Sequence, residues 1–390
     1  MKYKNICVGA NTTLFFLSLV LLTRQVPFIE YISILGICVT TLIISLNGNK
    51  LFFEKCIIFN GILLFSLLIF ALVVGNNLYI AIKYFFILLI IPLAYLSQPK
   101  YIFIKIFQTL ISIQALLIIV IEVYLLLFFD DANYLELRTF LSDRNWGEIF
   151  RPYGILWNIG IRGSALLPFA FMLSFITSTS KFYRAIILIA CIFCGNIAYL
   201  LSIAIFIFIF YYKSNKKKFY AILFLAMTLL IIFYNNFLNV IEIKNEYSNS
   251  IRLEQLNILI WQIFDNFYTP YFGSGLGYNI NVLTDSRLYE YDFELIWAYI
   301  INQTGFLYSI YFILLNIYLT KKYIKNDFLI LAYICYLIYA SINPQMLDSN
   351  HIIVILLLLS AKEYIFQNSN KVLNGKLRYL HTIQSDKNIF

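Results

Sequence analysis

Long apolar runs separated by short polar stretches make up most of this chain of 390 residues. A run of about 20 apolar residues suits a helix that crosses the hydrocarbon core of a bilayer. The chain has 61% hydrophobic and only 13% charged residues, with a mean hydropathy of +0.80. Such a composition is far from that of soluble domains. The pattern therefore predicts an all-α, polytopic membrane protein that folds as one bundle.

The apolar runs predict about 12 transmembrane helices. We expect one bundle over residues 1–366, a cytoplasmic tail at 367–390, and both termini in the cytoplasm. Because many spans follow the first run, that run is interpreted as a transmembrane helix and not as a cleaved signal. The predicted single spans are 6–22, 27–46, 57–74, 78–96, 102–129, 163–180, 219–238, 293–319, 327–342 and 350–366.

The apolar run Ala185–Tyr212 contributes the remaining two predicted helices. Basic residues flank it on both sides, so both of its ends should lie in the cytoplasm. Its 28 residues are too few for two complete crossings. The run therefore predicts two short or broken helices that turn near Gly195 and Asn196, where the turn must be buried in protein or wetted.

Lysine and arginine are distributed unequally over the predicted topology. Of the 29 basic residues, 20 fall in segments assigned to the cytoplasm, as the positive-inside rule requires. Seven of the eight left outside are arginines, mostly in two large loops at about 130–162 and 239–292. Because guanidinium binds phosphate with a planar fork of donors, the outer face is predicted to hold an anion. Alternatively, these arginines pair with neighbouring acidic residues.

Metal and nucleic-acid binding are not predicted. The six cysteines lie mostly in apolar runs without metal-ligand spacing, and the chain has two histidines. Cys191 and Cys194 form a CxxC motif inside an apolar run and are interpreted as core residues. The net charge of +9 comes from basic residues scattered among the spans, which does not favour nucleic acid as a partner. His351 opens the last span and is interpreted as an interfacial residue.

The second large loop contains a surface helix and a glycine cluster. Arg252 precedes the segment 253–267, whose apolar spacing predicts an amphipathic helix on the membrane surface. Gly273, Gly275 and Gly277 follow. A phosphate-cradling loop would need a preceding strand and a GK[ST] sequence, so a tight turn is favoured.

Two charged residues fall inside predicted spans. Lys83 and Glu122 each lie in the outer third of an apolar run. An ionisable group at such depth indicates function, although the two side chains could also pair with each other. Asn302 and Gln303 are predicted either to break their helix and line a cavity or to bond to neighbouring helices.

The order of motifs around the second loop resembles the superfamily of O-antigen ligases and Wzy-type polysaccharide polymerases. An arginine precedes a tryptophan-bearing helix and a Pro-x-x-Gly-x-Gly-x-Gly turn, and a polar residue stands eleven positions before a glycine. Glu294 stands where ligases often carry histidine, and Gln303-Thr304-Gly305 replaces a Glu-x-Gly. These departures favour a polymerase over a ligase. The residues that match the first half of the pattern are Arg252, Trp261, Pro270, Gly273, Gly275 and Gly277, and there is further similarity at Arg151–Asn158 and Asn343–Pro344.

The resemblance implies a GT-C-like glycosyltransferase in the inner membrane of a bacterium. Its substrates would be undecaprenyl-diphosphate-linked oligosaccharides at the periplasmic face, and a chain-length regulator would be a protein partner. A ligase and a lipid-linked oligosaccharide flippase remain the alternatives. No cofactor is implied, because arginines would neutralise the diphosphate in place of Mg²⁺.

Site residues follow from the charges on the outer face. The groups predicted to bind the diphosphate are Arg151, Arg162, Arg252, Arg287 and the intramembrane Lys83. Glu294 is the predicted general base, which takes the proton from the acceptor hydroxyl in a single inverting displacement. Asp292 is the substitute. Alternatively, Glu294 is an interfacial carboxylate paired with Arg287.

Overall fold

The part of the chain that the structure describes is an all-α bundle with short strands in its polar loops. Five helices in this part are long and apolar enough to cross a membrane. The prediction of an all-α membrane protein is therefore confirmed at this level, whereas the spans 6–22 and 27–46 lie outside the described residues. The computed structural model describes residues 55–367 except 97–98, 100, 129–133, 144–146, 151–156, 162, 233, 235–249, 281, 284–287, 290–292, 294, 344–345 and 349.

Helix boundaries follow the apolar runs closely. The first six helices are α1 (Lys55–Val74), α2 (Leu78–Ala94), α3 (Ile102–Phe128), α4 (Tyr134–Asp143), α5 (Leu167–Ile176, preceded by a 3₁₀ turn at Ser164–Leu166) and α6 (Lys181–Phe193). The others are α7 (Ile197–Ser214), α8 (Lys216–Ile232), α9 (Ser250–Phe264), α10 (Thr269–Phe272), α11 (Ile296–Ile324), α12 (Asp327–Ile342) and α13 (Asn350–Gln367).

Two antiparallel hairpins interrupt the helices. β1 (Gly147–Phe150) pairs with β2 (Asn158–Ile161), with Glu148 opposite Gly160. β3 (Val282–Leu283) pairs with β4 (Leu288–Tyr289). Each hairpin belongs to one of the two large polar loops.

The run Ala185–Tyr212 forms the two helices that its flanking charges predict. α6 ends at Phe193, the chain turns at Gly195, and the Asn196 side chain caps α7 by accepting the backbone N–H of Ala198 at 3.0 Å. Gly195 has a φ of 63°, which glycine adopts without strain. The predicted turn is therefore confirmed.

Several helix ends meet at one end of the bundle, which we call the lysine-rich end. Lys213 near the end of α7 forms an ion pair with Asp327 at the start of α12, at 3.7 Å. Lys362 of α13 donates to the backbone oxygen of Tyr323 in the last turn of α11, at 2.6 Å. The lysines at this end include Lys181, Lys213, Lys216, Lys217, Lys218, Lys321, Lys322, Lys325 and Lys362. We call the opposite end, where α11 starts and α12 stops, the loop end.

α13 is the central helix of the described bundle. Every residue from Asn350 to Ala361 is buried. Its start lies well inside the bundle, because the Tyr333 hydroxyl and His351 Nε2 are 2.8 Å apart and Tyr333 precedes the end of α12 by nine residues. At 1.5 Å per residue, His351 is roughly 13 Å inward from the loop end of α12.

Candidate functional site at the loop end

The predicted site residues fall mostly outside the described part of the chain. Arg252 is partly buried in the first turn of α9, and Lys83 is partly buried in α2. The other predicted residues, for which no position is described, are Arg151, Arg162, Arg287, Asp292 and Glu294. The predicted gathering of arginines around a carboxylate therefore stays a prediction.

The glycine turn, Gly273–Gly277, docks on α11 through its backbone. The Ser274 N–H donates to the carbonyl oxygen of Asn302 at 2.7 Å, and the Gly275 N–H donates to that of Gln303 at 3.1 Å. Both carbonyls belong to α11, the helix that follows the loop. The turn thus joins the second polar loop to α11.

Two amide side chains complete this docking. Gln303 accepts from the Tyr278 N–H and donates to the Tyr278 carbonyl oxygen, both at 3.1 Å. Asn76, between α1 and α2, donates to the carbonyl oxygens of Ser274 and Leu276 at 3.1 and 3.2 Å. Because amide hydrogens of the turn are used inside the fold, this geometry supports the tight turn and not a phosphate cradle.

α11 is broken where the turn meets it. Gly305 has φ 75° and ψ 167°, which are not helical angles. A Cβ at Gly305 would overlap the carbonyl oxygen of Tyr271, and one at Gly273 would overlap that of Gln303. The break is therefore two residues beyond the predicted Asn302–Gln303. Both of those side chains are buried, and Gln303 holds the turn in place.

α9 has apolar residues on both its buried and its exposed sides. On the buried side, Leu259 and Ile263 are enclosed, and the helix packs on α11. The large side chains on its exposed side and in the segment after it are Leu253, Ile260, Trp261, Phe264, Phe267 and Tyr268. A helix with this exposure suits a membrane interface, as its sequence spacing predicts.

The first polar loop enters the bundle beside α3. Trp157 is 1% exposed, and its backbone N–H donates to Oε1 of the fully buried Glu122 at 3.0 Å. Non-helical backbone at membrane depth needs such an internal partner. Glu122 therefore fixes the strand that starts at Asn158.

A chain of asparagines links this hairpin to the break between α6 and α7. The Asn158 side chain lies directly against Gly195, where a Cβ would overlap it. Asn196 donates to Oδ1 of Asn343 at 3.1 Å, and Asn343 donates to the carbonyl oxygen of Tyr339 at 2.8 Å. The polar segments at the loop end thus form one connected layer.

Lys83 and Glu122 do not pair with each other. The Lys83 ammonium lies 5.9 Å from the centre of the Tyr84 ring, and α2 packs on α1 and α11, whereas α3 packs on α5 and α6. The alternative that these two charges neutralise each other is therefore wrong. Glu122 acts on the first polar loop instead.

The interfacial interpretation of His351 is wrong. His351 is 1% exposed and lies at hydrogen-bond distance from Tyr333. Its Nδ1 lies 3.0 Å from the carbonyl oxygen of Met346. The residue belongs to the core because the segment before α13 returns into the bundle.

Sequence reasoning missed a polar pair in that segment. Asp348 is partly exposed, and Asn350 donates from Nδ2 to its Oδ2 at 3.0 Å. The signal was the sequence Asp-Ser-Asn-His at 348–351, four polar residues directly before a fully buried apolar helix.

Within the described ranges, no group of three or more His, Cys, Asp or Glu residues could hold a metal ion. Comparisons of the chain with protein-family profiles, curated proteins and solved structures find no match.

Proposed function

We propose that this chain is a polymerase that joins undecaprenyl-diphosphate-linked oligosaccharide repeat units at the periplasmic face of a bacterial inner membrane. Both termini then lie in the cytoplasm, and about 12 helices cross the membrane. The observation that carries the proposal is the separation of charges. Lysines gather at one end of the bundle, and the described parts of the two arginine-bearing loops lie at the other.

Glycosyl transfer from a lipid diphosphate requires cations at the loop end. Both substrates are lipid-linked, and the leaving group is a diphosphate whose developing negative charge needs stabilisation. Arg151, Arg162, Arg252 and Arg287, with Lys83, would supply it. Glu294, or Asp292 in its place, takes the proton from the acceptor hydroxyl. The hydroxyl oxygen bonds to the anomeric carbon while the bond from that carbon to the diphosphate breaks, so the configuration inverts.

A lipid-linked oligosaccharide flippase is the second candidate. It is favoured by two broken helices, at Gly195 between α6 and α7 and at Gly305 in α11, because broken helices line the substrate sites of many transporters. Against it, the sequence has no convincing similarity between its halves. A ligase is the third candidate, disfavoured because Glu294 replaces the histidine of that pattern.

Deletion of the gene separates these candidates in cells. Loss of a polymerase leaves single repeat units on the surface, and loss of a flippase leaves none. Loss of a ligase leaves long polymer that is not attached to its lipid acceptor. The proposal requires the first outcome, with long polymer restored by a plasmid copy, and either of the others contradicts it.

A further inference from the structure

Asp348 and Asn350 lie where the chain enters α13, inside the bundle. α12 ends at the loop end, where Asn343 lies beside Asn196, whereas His351 in the first turn of α13 lies roughly 13 Å deeper. Irregular backbone at membrane depth persists only where protein buries it or water reaches it. Met346 and Leu347 are buried, but Asp348 is partly exposed. Asp348 is therefore not fully enclosed by the protein.

Asn350 has one satisfied and one unsatisfied polar atom. Its Nδ2 donates to Oδ2 of Asp348 at 3.0 Å, which defines the orientation of the amide. The side chain is 7% exposed, and its Oδ1 has no hydrogen-bond partner among the residues that the structure describes. Leaving a buried acceptor unpaired is unfavourable. The pair therefore offers an amide oxygen that requires a donor, next to a carboxylate that accepts.

We propose that Asp348 and Asn350 bind hydroxyl groups of the glycan in the lipid-linked substrate, an assignment that rests on the proposed function. A sugar hydroxyl donates one hydrogen bond and carries no charge, so it satisfies Asn350 Oδ1 without a buried ion. Neighbouring hydroxyls donate to Asp348. The pair follows α12, which ends at the loop end, where the diphosphate of the same substrate would meet the arginines.

A cation is the main competitor for these oxygens. A hard cation takes about six or more oxygen ligands, and this pair supplies few. A purely structural pair, which only holds the start of α13 in place, is the other competitor. It predicts a loss of folded protein on substitution and no specific loss of glycan binding.

The test measures binding to the full-length protein in lipid nanodiscs. The probe is the undecaprenyl-diphosphate-linked repeat unit purified from cells that lack this gene, and undecaprenyl diphosphate without sugar is the reference ligand. Asp348→Asn keeps the size and one acceptor, and Asn350→Leu keeps the volume without polar atoms. Both are expected to raise the Kd of the probe about tenfold or more, with the Kd of undecaprenyl diphosphate unchanged.

Asn316→Leu is the matched control. Asn316 is also buried, at 3% exposure, and its Oδ1 also has no partner within the described residues, but it lies toward the lysine-rich end of α11. It should leave both Kd values unchanged. Should Asn350→Leu not fold, Asp348→Asn still decides the outcome.

Three results would overturn the assignment. One is an unchanged Kd of the probe in a folded variant. The second is an equal rise in the Kd of both ligands, which places the effect at the diphosphate or in the fold. The third is probe binding that depends on Na⁺ in the wild type but not in Asp348→Asn. Because binding is measured without turnover, a protein that binds the glycan yet makes no polymer would contradict the proposed function alone.

Discussion

Glu122, in the last third of the apolar helix α3, accepts a hydrogen bond from the backbone N–H of Trp157 at 3.0 Å. The two residues are 35 positions apart, and both are buried. A carboxylate at this depth thus anchors a loop that carries two of the proposed diphosphate ligands, Arg151 and Arg162.

Replacing Glu122 separates its acceptor role from its charge. Glu122→Ala leaves the Trp157 N–H buried without that acceptor, which should destabilise the protein by about 1–3 kcal/mol. Glu122→Gln retains an acceptor oxygen and should lose less stability. Thermal unfolding in detergent measures the stability, and the rate of trypsin cleavage at Arg151 and Arg162 measures how firmly the loop is anchored. Equal loss in the two variants would show that the charge, and not the hydrogen bond, matters.

The break in α11 predicts that alanine is not tolerated at Gly305. A φ of 75° with a ψ of 167° is a conformation that only glycine adopts readily and that costs another residue about 1–3 kcal/mol, and a Cβ would also overlap the Tyr271 carbonyl oxygen. Gly305→Ala should therefore reduce the yield of folded protein in size-exclusion chromatography. The control is Gly61→Ala, whose Cβ would meet only Leu89 Cδ1 at 3.7 Å. A normal yield of Gly305→Ala would disprove the break.

Helix boundaries and the turn in the run Ala185–Tyr212 were predictable because they depend on local chemistry. α12 coincides with its predicted span, 327–342, since Asn326 caps its start with bonds to the N–H groups of Phe328 and Leu329. The turn at Gly195 followed from basic residues at both ends of a run too short for two crossings.

Other features depend on contacts between distant segments. His351 opens an apolar run, and hydropathy alone assigns such a residue to the interface. Only the return of the preceding segment into the bundle reveals its contact with Tyr333. Likewise, the sequence predicts a break near Asn302 and Gln303 only as one of two alternatives, because the glycine turn that fixes the break at Gly305 is about 30 residues earlier in the chain.

Lipid contact of α9 is testable by fluorescence. Trp261 is 79% exposed, whereas Trp157 is 1% exposed. Brominated lipids should quench the part of the tryptophan fluorescence that comes from Trp261, because an interfacial helix holds such a ring near the acyl chains. This quenched fluorescence should be absent in Trp261→Phe. Trp157→Phe serves as the control and should retain it. Quenching of Trp261 by aqueous iodide alone would instead indicate a helix that stands free of the bilayer.

Arg252 and Glu294 are predicted to be required for polymerisation. In the proposed mechanism Arg252 stabilises the diphosphate and Glu294 is the base, so Arg252→Ala and Glu294→Gln should each lower the rate about 100-fold or more. Lys216→Ala, an exposed substitution at the lysine-rich end, is the control and should keep full activity. Product length on gels after timed reactions measures the rates. Retained activity in both variants would favour a protein without chemistry at this site.

The proposed polymerase joins lipid-linked repeat units by itself, by means of arginines and a carboxylate. The most direct measurement incubates the purified protein with the undecaprenyl-diphosphate-linked repeat unit in the presence of EDTA and separates the products by size. A polymerase of this kind should yield a ladder of glycans spaced by one repeat unit. Two results would contradict the proposed function. One is that folded protein binds the substrate but leaves it unchanged. The other is that the ladder forms only when divalent metal is supplied.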